Sequence, residues 1–232
     1  MKLFFLLFAS VFLLNSIVSA QKRKIYTINP GVKATEVIPN DELFLHPGFT
    51  PGMVYFKSGT HSPGLLNYNF LIAEMQFIDT KGDTLSLADE NTIAYIAINT
   101  DTFYYDNGYL KFIRNCGEFK LAQKQFFDIV NKEKIGAMGM KTSSSSIDTY
   151  TRLPGNYKSN GLVAQEVLTL TRNDLYYFGD KFNHFKRLNK KKLIEAYPAK
   201  GKEIKNYFKE NSLKEITEED MAKLMESLYD KK

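Results

Sequence analysis

Met53-Val-Tyr-Phe-Lys57, Leu65-Leu-Asn-Tyr-Asn-Phe-Leu71, Met75-Gln-Phe-Ile78, Leu85-Ser-Leu87, Thr92-Ile-Ala-Tyr-Ile-Ala-Ile98, Thr102-Phe-Tyr-Tyr105, Tyr109-Leu-Lys-Phe-Ile113 and Glu118-Phe-Lys-Leu121 follow one another between Met53 and Phe127. Ser58-Gly59, Lys81-Gly82-Asp83, Asn99-Thr100-Asp101 and Asp106-Asn107-Gly108 separate several of them. Short β-branched and aromatic runs punctuated by Gly and Asn predict an antiparallel meander. In the run ending at Ile98, apolar residues occupy both alternating sets: Ile93, Tyr95 and Ala97, and Ala94, Ile96 and Ile98. A strand with one wet face alternates cleanly, so this one is expected to be covered on both sides. The fold class that follows is α+β, mainly β. Its meander forms a sandwich or rolled half-barrel and carries a C-terminal helical segment.

Upstream, Met1 to Ala20 has the form of a cleaved signal peptide. Lys2 is followed by the apolar run Leu3 to Leu14 and by small residues at Val18-Ser19-Ala20. That run is shorter than the ~20 residues a membrane span needs, and no second apolar stretch of that length follows. The chain is therefore expected to be periplasmic or secreted, with no transmembrane segment after cleavage. From residue 21 to 52, Pro30-Gly31, Pro39-Asn40 and Pro47-Gly48 leave room for only one or two edge strands, with Ile25-Tyr-Thr-Ile28 the first candidate. Residues 21 to 180 make up the β-rich domain.

Downstream, Gly136, Gly139, Ser143-Ser-Ser-Ser146 and Pro154-Gly155 predict a flexible loop near 131–160. Glu166 to Arg172 and Leu175 to Phe178 read as a hairpin turning at Asn173-Asp174. Residues 181 to 232 are expected to form a basic helical segment packed on the sheet. Leu193, Ile194 and Tyr197, then Ile204, Tyr207 and Phe208, supply its apolar faces. The last helix has Thr217 as N-cap, acids in its first turn, and Met221, Leu224, Met225 and Leu228 at helical spacing.

The formal net charge is +5, and it is uneven. Residues 181 to 214 hold eleven Lys or Arg against three Glu. Lys186, Arg187, Lys190, Lys191 and Lys192 form a candidate anion-binding patch, although charged residues also belong on the solvated faces of amphipathic helices. Export points away from nucleic acid and toward an envelope protein or polyanion as partner.

No catalytic, cofactor-binding or metal-binding residues are predicted. The chain has no H-E-x-x-H, C-x-x-C or EF-hand spacing, the serine run shows no G-x-S-x-G or S-x-x-K spacing, and the three histidines are scattered. Cys116 is a lone thiol with no histidine near it in sequence, which reads as partly buried and inert. Tyr55, Tyr68, Tyr95, Tyr104, Tyr105 and Tyr109 could line a ligand groove; the favoured reading makes them strand formers with hydroxyls at the rim.

Leu66-Asn-Tyr-Asn69, Glu74-Met-Gln-Phe-Ile78, Gly82-Asp83-Thr84-Leu85 and the segment Ile204 to Asn211 resemble blocks in uncharacterised exported β-rich proteins of Bacteroidota. The Ala20/Gln21 boundary is similar to the export signals of that phylum, and Asp83-Thr84-Leu85 matches its short O-glycosylation pattern. This resemblance implies export and a β-rich fold, and it implies no substrate and no catalytic residue. The expected function is a non-catalytic envelope module that binds a partner or ligand. The alternatives are an exported hydrolase assembled from dispersed Asp, Glu, Ser and His, and a structural envelope component.

Overall fold

The computed structural model describes residues 24–116, 119–135, 141–143, 164–210 and 218–229. The signal segment, most of the serine run and Thr217 lie outside the described residues.

Among the described residues, twelve strands form one antiparallel sheet. They are β1 (Ile25–Ile28), β2 (Thr50–Phe56), β3 (His61–Asn69), β4 (Glu74–Ile78), β5 (Thr84–Ser86), β6 (Ile93–Ile98), β7 (Asp101–Tyr105), β8 (Tyr109–Cys116), β9 (Phe119–Ile135), β10 (Lys141–Ser143), β11 (Val167–Gly179) and β12 (Phe185–Arg187). The path runs β1-β11-β9-β8-β7-β6-β2-β3-β4-β5, with β10 paired to β9 and β12 to β11. Asn107 and Gly108 take positive φ at the β7–β8 turn, as an Asn-Gly hairpin requires.

The sheet is rolled. β3 and β9 are five strand steps apart, which on a flat sheet is about 24 Å. Yet the Phe127 N–H donates to the Phe70 carbonyl at 2.9 Å, and the Tyr68 hydroxyl donates to the Gln125 carbonyl at 2.9 Å. Inside the roll lie Val54, Leu66, Tyr68, Ile96, Ile98, Phe103, Tyr109 and Phe127, all buried. Two single-turn helices, α1 (Ala34–Val37) and α2 (Asn40–Leu43), add Ala34, Ile38 and Leu43 to this core. The meander is thus present, its sheet fits the sandwich or half-barrel expected from the sequence, and β1 occupies the expected residues.

A second core sits on the same face. Phe127 and Ile129 of β9 and Leu168 and Leu170 of β11 belong to the first core; Phe119, Leu121, Tyr176 and Phe178 belong to the second. All lie at even spacing along their strands, so the two cores share a face at opposite ends. The second is closed by α3 (Lys190–Ala196), α4 (Gly201–Glu210) and α5 (Glu218–Tyr229), through Leu193, Ile204, Ala222, Leu224 and Met225. Arg114 of β8 pairs with Glu226 of α5. Cys116 is buried in this core; burial pushes its thiol pKa up, opposed by Arg114. No helix of the described residues is long and apolar enough to cross a membrane.

Three expectations are corrected. Val167 to Gly179 is one continuous strand, with no turn at Asn173-Asp174. Those residues lie opposite Phe126 and Gln125, and their side chains bond across the ladder to Asp128 and Gln125. Residues 131–135, expected to be loop, continue β9, with Asn131, Lys132 and Glu133 paired to Thr169, Leu168 and Val167, and Lys141–Ser143 pairs back onto β9. Partner register overrides local composition at both places. Finally, β6 is covered on one face only: Ile93, Ile96 and Ile98 point into the core, whereas Tyr95 is 37% exposed.

Candidate functional site

Of the five cations singled out in the sequence, Lys186, Lys191 and Lys192 all act on Glu195. Lys186 and Arg187 are exposed on β12, opposite Phe178 and Tyr177, so alternation sends them to different faces. Lys190, Lys191 and Lys192 are exposed in the first turn of α3, where the Asn189 side chain caps the Lys192 N–H at 2.9 Å. Lys192 Nζ lies 2.9 Å from Glu195 Oε2. This hydrogen bond holds the Glu195 carboxyl below its ordinary pKa, and Lys191 and Lys186 are close enough to add to the effect. A carboxylate already occupies the middle of the lysine group. Exposed pairs of this kind contribute little to stability.

The six tyrosines divide cleanly. Tyr68 and Tyr109 are buried in the first core, where Tyr68 stacks on Phe103 at 5.5 Å and meets Tyr109 edge-on at 6.2 Å. Tyr105 packs against that core and meets Tyr109 edge-on at 5.1 Å. Tyr55, Tyr95 and Tyr104 face the other way, each on a different strand.

On that outer face the rings make a strip across the strands. His61 of β3 lies 5.9 Å from Tyr55 of β2, and Tyr55 stacks on Tyr95 of β6 at 4.4 Å with 19° between planes. Tyr95 lies 6.5 Å from Tyr104 of β7. Tyr104 in turn meets Phe112 of β8 edge-on at 6.3 Å and Phe185 of β12 at 5.6 Å. Register explains the order, because Tyr55 sits directly opposite Tyr95. Such cross-strand aromatic pairs each stabilise a sheet by roughly 0.2–1 kcal/mol. Phe185 reaches the strip because Gly179 lies beneath it; a Cβ at 179 would clash with the Phe185 ring.

Lys120 Nζ lies 4.8 Å above the Tyr104 ring and also bonds Asn183. No carboxylate pairs with Lys120 among the described residues. Partial burial, with a smaller effect from Tyr95, raises the pKa of the Tyr104 hydroxyl. The strip thus ends at Tyr104 with a cation above its ring.

Two His–Asp pairs bear on the hydrolytic alternative. His184 Nδ1 is 3.2 Å from Asp180 Oδ2 in the exposed turn before β12. Backbone N–H bonds from His184 and Phe182 lower the Asp180 pKa, so that carboxylate is chiefly a turn brace. His46 Nε2 is 3.6 Å from Asp101 Oδ2, while Lys111 Nζ takes Asp101 Oδ1 at 2.8 Å. Nε2 is buried and has no hydrogen bond, so no hydroxyl nucleophile is bonded to it. No group of three or more His, Cys, Asp and Glu gathers in a metal-binding arrangement among the described residues. A depression of about 610 Å³ beside the β2–β3 turn is lined by Phe56, Lys57, Ser58, Thr60, Asn91 and Thr92, without a carboxylate or an imidazole.

Sequence reasoning found the tyrosines but missed the strip. β2 and β6 are far apart in the chain, so the Tyr55–Tyr95 stack is invisible until register is known. Comparison of the chain with known protein families, curated proteins and solved structures returned no match.

Proposed function

We propose that this chain is an exported, non-catalytic β-rich module that binds a partner or ligand of the cell envelope, and that the outer strip of rings is its docking surface. The observation that carries the reading is the row His61–Tyr55–Tyr95–Tyr104, aligned across four strands and facing solvent on the face opposite the core. Aromatic side chains set apolar area and a polar tip at a surface with few rotatable bonds, which suits them to recognition. Export rests on the signal-like segment Met1 to Ala20. A hydrolytic reading would have to centre on His46 and Asp101, where Lys111 already engages the carboxylate.

Co-sedimentation of the mature protein with envelope fragments tests the proposal. Wild type should pellet with the fragments, and a Tyr95→Ala/Tyr104→Ala double variant with an unchanged melting curve should stay in the supernatant. Equal pelleting of the two would remove the strip as the docking surface. No pelleting of either would remove the binding reading altogether.

A further inference from the structure

We infer that the ligand of the outer strip is an acidic glycan, an extended chain of sugar rings bearing carboxylates; this rests on the docking reading above. The first argument is what the strip presents. Tyr55 and Tyr95 turn their faces on each other at 4.4 Å, so neither offers an open platform between them. Ring edges and phenol oxygens are left facing outward. No protein group bonds the hydroxyls of Tyr55, Tyr95 or Tyr104 among the described residues, so three donors on three adjacent strands are available to a ligand. Aromatic edges carry the positive part of the ring quadrupole. A row of positive edges and O–H donors selects a chain rich in oxygen acceptors.

The second argument is charge. Lys120 closes the row at Tyr104 with an ammonium that no carboxylate neutralises among the described residues. The imidazole of His61 stands exposed at the other end. An anionic chain laid along the strip meets a cation at Lys120 and donors in between. From β3 to β8 the strip crosses four strand spacings, about 19 Å, which is length enough for a short oligosaccharide.

The third argument is shape. A protein partner of standard size covers about 800 Å² on each side, and a strip one ring wide is too narrow for that. Single-stranded nucleic acid is held by bases stacked on open aromatic faces, and here the central faces are closed against each other.

Calorimetric titration with oligogalacturonate, its methyl-esterified form and a single-stranded DNA of matched charge tests the inference. Oligogalacturonate should bind most tightly, and added salt should weaken it as screening shortens the Debye length. The ester keeps the sugar rings and loses the charge, so it should bind several-fold more weakly. Tyr95→Ala and Tyr104→Ala should each weaken both sugar ligands by about tenfold. Lys120→Gln, with its fold checked by melting temperature, should weaken only the acid and bring it down to the ester. Equal affinity for acid and ester would overturn the inference, as would DNA binding as tightly as the glycan. Absence of binding to every sugar would also overturn it; pelleting with envelope fragments would then still stand for the docking surface alone.

Discussion

The two faces of the sheet carry the same kinds of residue and do opposite things with them. Inside the roll, Tyr68, Phe103 and Tyr109 are at most 2% exposed and contact one another edge-on or stacked. Outside, Tyr55, Tyr95 and Tyr104 touch in a row but face solvent, with Tyr95 37% exposed. Inside, the Tyr68 hydroxyl spans the roll to the Gln125 carbonyl, whereas the buried Tyr109 hydroxyl has no hydrogen-bond partner among the described residues. Burial also raises the Tyr109 pKa strongly, with smaller contributions from Glu90 and neighbouring tyrosines. On the outside, water can serve the hydroxyls, and register alone brings the rings together. Composition places an aromatic residue in a strand; parity decides whether it stabilises the fold or is available to a ligand.

Three substitutions measure that contrast. Phe103→Ala should have the largest effect, lowering the unfolding free energy by roughly 3–5 kcal/mol in urea denaturation, because a ring is removed from a packed interior. A loss below about 1 kcal/mol would mean that the inner rings are loosely packed and the contrast between faces is false.

Asn67 probes a place on β3 that the chain entering β2 covers. Its side chain donates to the His46 carbonyl at 2.9 Å and the Gly48 carbonyl at 3.1 Å, and accepts from the His46 N–H at 3.1 Å. In this way it holds the chain entering β2 against the sheet. Asn67→Ala strands these backbone groups, and the same denaturation measurement should show a cost of about 1–3 kcal/mol. An unchanged midpoint would show that water replaces all three bonds.

Tyr95→Ala should change stability least, by about 1 kcal/mol or less, because an exposed stacked pair is worth little more than that. Should it cost as much as Phe103→Ala, the outer strip is part of the structural core and not a surface reserved for binding.

The meander was legible because its strands are joined by short turns with marked residues such as Asn107-Gly108, and local chemistry suffices there. β9 and β11 were not. Asn173-Asp174 carries the chemistry of a turn, yet long-range pairing with Gln125 and Phe126 keeps it extended. β12 escaped notice because Phe185-Lys-Arg187 has no strand pattern of its own; it pairs because Gly179 admits the Phe185 ring. The basic run was legible as charge, but only the structure shows Glu195 among the lysines and Arg187 on the opposite side of β12. The outer strip depends on which residues stand opposite one another across non-sequential strands, which no local window of sequence contains.

The order of strands also sets a timetable for assembly. β2 to β5 join neighbours in sequence, as do β6 to β9, so both meanders close small loops and can form early. The β2–β6 seam then merges them into the roll. β1 has a different fate, because among the described strands it pairs with the distant β11 alone, where Ile28 lies opposite Leu168. During synthesis from the N-terminus, Ile25 to Ile28 wait as an unpaired strand until the residues beyond Val167 have been made. Ile25 to Ile28 are therefore among the last of the described strand residues to lock, although they are made first.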